Sequence, residues 1–137
     1  FLRNPIVTKE DAEKYVTKII NEYIRNGIGR YAVILKDNNE LIGFSGLKFR
    51  KSEENGYSNF HDLGYRFSQN YWNKGYATEA AQFWINYGFT VMKLDVIYAC
   101  AEDENIASNS LLRKLGFQLT NQYHVNNLLH NWYQLNK

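Results

Sequence analysis

The residues whose order most directly implies chemistry run from Trp72 to Thr78, Trp-Asn-Lys-Gly-Tyr-Ala-Thr, inside the longer stretch QNYWNKGYATEA at residues 69–80. Asn73, Lys74 and Gly75 form a turn. Ala77, Ala80, Ala81, Trp84, Gly88 and Val91 then recur at helical spacing with no proline among them. A strand should therefore lead through this turn into the first turn of a helix. The opening backbone amides of a helix have no carbonyl partner and lie at the positive end of its dipole. They suit an anion, and a pyrophosphate is a common guest. Gly75 allows the backbone to come close, and Ala77 keeps the next wall small. A tight strand-to-helix connection would use the same letters, so the turn alone does not decide. No G-x-x-x-x-G-K-[ST] and no G-x-G-x-x-G occurs in the chain.

Other polar residues carry two readings each. Asn105 suits an N-cap and Ser108 the third helical position, with Arg113 and Lys114 complementing the C-terminal dipole and Gly116 ending the helix. Good capping alone would select them. Asp62 and His61 lie side by side in a strand and point to opposite faces. Asp62 is either a carboxylate available for proton transfer or a strand-edge charge. Cys100 reads as a small buried apolar residue, since a nucleophilic role would need a base beside it. His124 and His130 flank a polar turn and read as surface or edge positions.

The elements that position these residues follow from local signals. Thr8 with Asp11 forms a capping box, and the helix runs to about Asn26, where Gly27 stops it. Ala12, Val16, Ile19 and Tyr23 form its apolar stripe; Tyr15 and Tyr23 have substrate contact as one reading and core, the commoner use of that spacing, as the other. Residues 31–36, YAVILK, read as a strand covered on both faces. Asp37-Asn38-Asn39 turns it into a second strand, Glu40 to Phe49. Lys51 to Asn59 is a polar loop with a mobile tip. His61 to Phe67 is the third strand, in which Gly64 marks a bulge or a close backbone approach. The helix after the turn ends near Met92, and Leu94 to Ala101 forms a strand parallel to the third through a right-handed crossover. Strands beginning at Phe117 and spanning His130 to Leu135 close the chain.

The chain has 137 residues, enough for one domain with one core, and a single proline. No apolar run reaches the length of a membrane span, and no signal peptide opens it. The single cysteine excludes an intrachain disulfide and fits a reducing, cytoplasmic setting. A net charge of +2 with no basic run and no RNA-binding signature gives no argument for nucleic acid as a partner.

LGYRFSQNYWNKGYATEA, followed by a helix, a strand, NIASNSLLRKLGF and an aromatic strand, resembles the GNAT acetyltransferase superfamily, and most closely its RimJ/RimL-type N-acetyltransferases. The resemblance implies one α/β (α+β) domain over residues 1–137, with a mixed, mostly antiparallel twisted sheet split by a V-shaped splay between two central parallel strands. Relatives of this type carry a further strand and short helix before the segment matching NPIVTKEDAEKY, so a longer protein or a shortened branch is expected. It implies acetyl-CoA as cosubstrate and no metal, with the pyrophosphate on Trp72, Asn73, Lys74, Gly75, Tyr76, Ala77 and Thr78. The family's Gln/Arg position is here Trp72, which leaves the backbone cradle in place but not that side chain's role. The backbone of Tyr65, Arg66 and Phe67 would pair with the pantetheine amides as an added strand would. Asn105 and Ser108 would sit beside the pantetheine arm and thioester, and Asp62 occupies the position where many relatives have a glutamate that deprotonates the amine. The tyrosine that many members place four residues before the final glycine is here Leu112, so the thiolate must be protonated another way, through Ser108 or water. The implied activity is acetyl transfer to a primary amine in a ternary complex, with a protein N-terminal α-amine as the favoured acceptor and a polyamine, amino acid or antibiotic amine as the alternative. A CoA-binding module without catalysis is the rival from another class. The protein is expected as a monomer or homodimer, away from nucleic acid and membrane.

Overall fold

Local signals set most element boundaries in the computed structural model, which describes residues 6–137. Helix α1 spans Lys9–Asn26; Thr8 Oγ1 accepts from the Asp11 amide, Asp11 reaches back to the Thr8 amide, and Gly27 closes the helix in the left-handed conformation. Strands β1 (Arg30–Ile34) and β2 (Leu41–Arg50) form the expected hairpin. Strand β3 spans Phe60–Phe67, and a short 3₁₀ turn at Gln69–Tyr71, not foreseen in the sequence, precedes α2 (Tyr76–Thr90). Strand β4 (Val96–Glu102), helix α3 (Ile106–Lys114) and the hairpin β5 (Gln118–Val125) and β6 (Leu128–Asn136) complete the chain.

The six strands form one sheet in the order β1-β2-β3-β4-β6-β5. Every neighbouring pair is antiparallel except β3 with β4. Helices α2 and α3 cover one face, over a core that includes Leu47, Leu63, Ala81, Ile85, Ile97, Leu112 and Tyr133. The opposite face carries Phe60, Tyr98, Tyr123 and Trp132 in mutual ring contact. Helix α1 is tied to this second face by Glu22 Oε1, which lies 2.8 Å from Lys48 Nζ. No described helix is long and apolar enough to cross a membrane.

Several expectations are corrected. β1 lies at the sheet edge rather than between two layers, and Tyr31 and Ile34 are exposed. On α1, Val16 faces solvent at 54% exposure, and Tyr23 is half-buried against the Tyr31 ring. The inward side of α2 is Ala81, Ile85 and Gly88, while Val91 lies beyond the helix and is exposed. The β2–β3 register runs unbroken from Arg50↔Phe60 to Gly43↔Phe67, so Gly64 makes no bulge there. It serves a close approach instead: a Cβ on Gly64 would collide with Arg30 Nη2, whose guanidinium lies across the strand. The polar loop at 51–59 is stitched to the fold. Glu54 bridges Tyr57, Asn55 and Asn121 exchange amide hydrogen bonds at 2.9 Å, and Tyr57 stacks on Trp132.

Candidate functional site

Strands β3 and β4 pair at a single bridge, Asp62↔Tyr98, and then part. Each keeps its antiparallel neighbour, β2 and β6, along its whole length. The splayed edges of β3 and β4 are therefore left to seek partners elsewhere. In this gap lies a cleft of about 650 Å³. One wall is Tyr65, Arg66 and Phe67 of β3, another Cys100 to Glu102 of β4, and the ends are closed by the loop before α2 and the start of α3.

The loop behaves as its letters imply. Gly75 is the N-cap of α2 with φ 84°, a left-handed conformation that most side chains resist. The first capping hydrogen bond runs from the Glu79 amide to the Gly75 carbonyl at 3.0 Å, so the amides of Tyr76, Ala77 and Thr78 have no helical acceptor. Trp72, Asn73, Gly75, Tyr76, Ala77 and Thr78 all line the cleft. Trp72 has a role the sequence did not reveal: its Nε1 donates to the Phe67 carbonyl at 2.8 Å and moors the loop to the end of β3. Lys74 is not among the lining residues; its ammonium lies 5.7 Å from the Tyr71 ring centroid.

Asn105 and Ser108 also reach the cleft. Asn105 Oδ1 accepts from the Ser108 amide at 3.2 Å, so the cap and the cleft-facing hydroxyl belong to one turn. The start of α3 is braced from below by Asn109. Its Nδ2 donates to the carbonyls of Glu102 and Asn105, and its Oδ1 accepts from Asn131 Nδ2 and Tyr133 Oη. The Ser108 hydroxyl stands 3.0 Å from the Tyr65 hydroxyl, and either can donate. Burial pushes the Tyr65 phenol up to about 12, against the lowering effect of Ser108, so it stays protonated at neutral pH. Sequence reasoning sought a tyrosine at position 112 and missed this one. Leu112 is buried in the core, while the phenol comes from β3, 43 residues away from Ser108 in the chain.

Asp62 is not where a proton acceptor should be. It is 5% exposed and does not line the cleft. Arg30 Nη2 donates to its Oδ1 at 2.8 Å and Arg50 Nε to its Oδ2 at 3.0 Å. Burial alone would raise its pKa, but the two guanidinium groups outweigh that and hold the carboxyl below its ordinary value. Arg30 Nη1 also donates to the Gly46 and Asp62 carbonyls, so the cluster clamps β1, β2 and β3 together beside the last parallel bridge. His61 faces the other way, half-buried against Phe49, and burial lowers its pKa. Cys100 lines the cleft rather than the core; burial, with the nearby charges of Asp62 and Glu54, pushes its thiol up to about 11. His130, expected at a surface or edge, also lines the cleft from central strand β6, whereas His124 is exposed. Among the described residues no group of three or more His, Cys, Asp or Glu is placed to hold a metal ion.

Comparison with known proteins agrees with this geometry. Residues 2–118 match the family described as acetyltransferase (GNAT) domain. An N-acetyltransferase of Bacillus licheniformis, p20, is 35% identical over 114 residues, covering 83% of this chain and 62% of the relative. The spermidine N(1)-acetyltransferase of Escherichia coli (strain K12) is 38% identical over 63 residues, covering 43% of this chain and 34% of that enzyme. The solved ribosomal-protein-S5-alanine acetyltransferase from Vibrio fischeri shares the fold, with a TM-score of 0.74 at 19% identity, covering 97% of this chain and 77% of its own. The chain thus spans less than two thirds of the length of the p20 relative it matches. Unbroken family likeness over residues 2–118, on a sheet that parts at Asp62↔Tyr98 above a glycine-capped helix, shows that this chain belongs to the GNAT acetyltransferase family.

Proposed function

We propose that the protein transfers the acetyl group of acetyl-CoA to a primary amine by direct attack in a ternary complex. The observation that carries this reading is convergence: the free amides of α2, the splayed edge of β3 and the Ser108 hydroxyl all meet in one cleft. The donors match the group. The start of α2 offers backbone N–H groups and a positive dipole end to a pyrophosphate, with open space above Gly75 where a Cβ would meet nothing within 4 Å. The backbone of Tyr65 to Phe67 offers strand hydrogen bonds to an extended amide-bearing arm. Acetyl-CoA, when bound, supplies an activated thioester.

The residues then divide the work. A backbone amide at the free edge near Tyr65 to Phe67 is a preorganised donor where negative charge would develop on the carbonyl oxygen. Ser108, backed by the protonated Tyr65, is placed to return a proton to sulfur, in place of the tyrosine absent at Leu112. Asn105 holds Ser108 through its cap. Asp62 is assigned to structure, as the anion between Arg30 and Arg50. Lys74 is assigned to the loop's outer surface, with long-range attraction to phosphate as its only contribution.

For the acceptor, we favour a protein N-terminal α-amine, in line with the RimJ/RimL resemblance and the fold shared with a ribosomal-protein acetyltransferase. The partial match to a spermidine acetyltransferase keeps small amines as the alternative. An α-amine has an ordinary pKa near 8, so a modest fraction is already neutral in a cytoplasmic setting. Calorimetric titration with acetyl-CoA, followed by a thiol-release assay over a panel of amines, tests the proposal. Micromolar binding with amine-dependent release is expected. Binding without release for any amine would leave a CoA-binding module, and no binding would overturn the reading.

A further inference from the structure

A second cavity, of about 380 Å³, opens on the sheet face opposite α2 and α3. Its wall includes Glu22 and Arg25 of α1, Arg50 at the end of β2, and Lys51, Glu53 and Glu54 of the following loop. It shares no lining residue with the cleft, yet three side chains join the two. Alternation along β4 turns Cys100 away from Ala99 and Ala101, which lie in the core under the helices. Cys100 therefore reaches the cleft from the far face, through the splay. Tyr123, packed edge-on to Trp132, is an electrostatic neighbour of the Cys100 thiol. The Tyr123 hydroxyl donates to Glu54 Oε1 at 2.9 Å, and Glu54 lines the second cavity. A second observation points to an occupant that carries donors. Glu22 Oε1 holds Lys48, but its Oε2 is buried with no partner among the described residues. A buried carboxylate oxygen left unpaired is costly, and a ligand's N–H would satisfy it.

We propose that this second cavity receives the acceptor amine and that Glu54 accepts the proton the ammonium must lose, with Tyr123 holding its carboxylate toward the splay. The inference rests on the acetyl-transfer reading above and deepens it. The ammonium gives one proton to Glu54, and the nitrogen lone pair forms the N–C bond to the thioester carbonyl carbon. The C–S bond breaks with its electron pair leaving on sulfur. One of the two remaining nitrogen protons passes to sulfur by way of Ser108, the other stays on the amide, and Glu54 releases its proton to water. Asp62 has each oxygen held by an arginine and Glu22 is paired with Lys48, whereas Glu54 accepts a hydrogen bond from a phenol and has Arg50 only as an electrostatic neighbour; Glu53, on the same wall, lacks the tie to Tyr123.

The charges of the cavity also narrow the acceptor. Glu54 has Arg50 of β2 and the neutral Cys100 of β4 and Tyr123 of β5 as neighbours, and shares the cavity wall with Glu22 and Arg25 of α1 and Lys51 and Glu53 of its own loop. The wall thus carries three carboxylates and three cations. A polycation would meet as many like charges as opposite ones. An amine that carries its own acid meets complements for both, so the class inferred is an amino acid or a peptide α-amine next to an acidic side chain.

The test uses the full chain in a thiol-release assay over a pH series, with an aspartyl dipeptide and spermidine as acceptors, for wild type, Glu54→Gln and Tyr123→Phe. Acetyl-CoA affinity of each, by calorimetry, is the control for folding and cofactor binding. Glu54→Gln should lower kcat/KM for the dipeptide by about 100-fold at neutral pH and recover toward wild type as rising pH strips the ammonium unaided. Tyr123→Phe should cost about tenfold without moving the pH profile, and both variants should bind acetyl-CoA as wild type does. The dipeptide should outperform spermidine. Wild-type rates for Glu54→Gln at every pH would overturn the assignment of the base, and a preference for spermidine would overturn the acceptor class. Failure of the wild type to bind acetyl-CoA would overturn the acetyl-transfer reading itself, and this inference with it.

Discussion

The two sides of the splay are built from different materials. On the α2–α3 side the cleft presents backbone amides, a strand edge and uncharged hydroxyls, drawn largely from two short stretches around Gly75 and Ser108. On the other side, charges and rings meet from far apart: Arg30 reaches Asp62 across 32 residues and Tyr123 reaches Glu54 across 69. The contrast shows how the two demands differ. Holding a pyrophosphate and an amide chain takes main-chain geometry, which a turn and a cap can supply locally. Handling protons takes side chains whose pKa values depend on partners, and partners are a tertiary matter. Asp62 and Glu54 make the point within one face. Both are carboxylates near the slot, but two guanidinium groups favour the anionic form of one and a phenol meets the other.

The largest effect expected is on the charged side, as stability. Asp62→Asn leaves Arg30 and Arg50 without their anion, and breaking a buried pair of this kind costs about 3–5 kcal/mol, readable by chemical denaturation. Because the folded pKa of Asp62 is depressed, its contribution is full above the ordinary carboxylate value and is lost as pH falls through the lower folded value. Wild-type stability should therefore decline in acid more steeply than that of Asp62→Asn. A flat comparison would show that the clamp carries little.

On the cleft side, Gly75→Asp is expected to weaken acetyl-CoA binding by about 100-fold, or roughly 2.7 kcal/mol. It adds a negative charge at the proposed pyrophosphate site. Its folding cost comes from the left-handed backbone at φ 84°, which Asp tolerates better than most residues, and not from a clash, since a Cβ there meets no atom within 4 Å. Calorimetry paired with thermal unfolding separates the two effects. Ser108→Ala and Tyr65→Phe should each reduce kcat by about tenfold, with the double variant little worse than the poorer single one, since the hydroxyls act as one relay. Additive losses in single-turnover rates would break that coupling. Asn105→Ala should cost about 1 kcal/mol of stability through its lost cap. The smallest effect belongs to Lys74→Ala, within about threefold in acetyl-CoA affinity, because its ammonium is exposed and turned toward Tyr71.

The sequence was most legible where function and folding use the same local device. Thr8 with Asp11, Gly75 and Asn105 with Ser108 are all helix starts, and each lies where capping chemistry puts it. The residues around Gly75 and Ser108 therefore reached the cleft as expected, Lys74 excepted. Errors arose where burial had to be guessed. The apolar run of β1 reads as covered but lies at an edge, and His130 reads as peripheral but sits on a central strand. Gly64 signalled a special position correctly, yet only packing shows that the visitor is the Arg30 side chain rather than a bulge.

The letters alone determined the order of elements, the helix ends and the turn that caps α2 at Gly75, because these depend on residues within a few positions of one another. Only the tertiary structure decided that Asp62 is clamped, that Tyr65 backs Ser108, and that Glu54 and Tyr123 meet beside Cys100. Each of these is set by which strands become neighbours and by how much water their side chains lose, quantities that belong to the folded sheet and to no single stretch of chain.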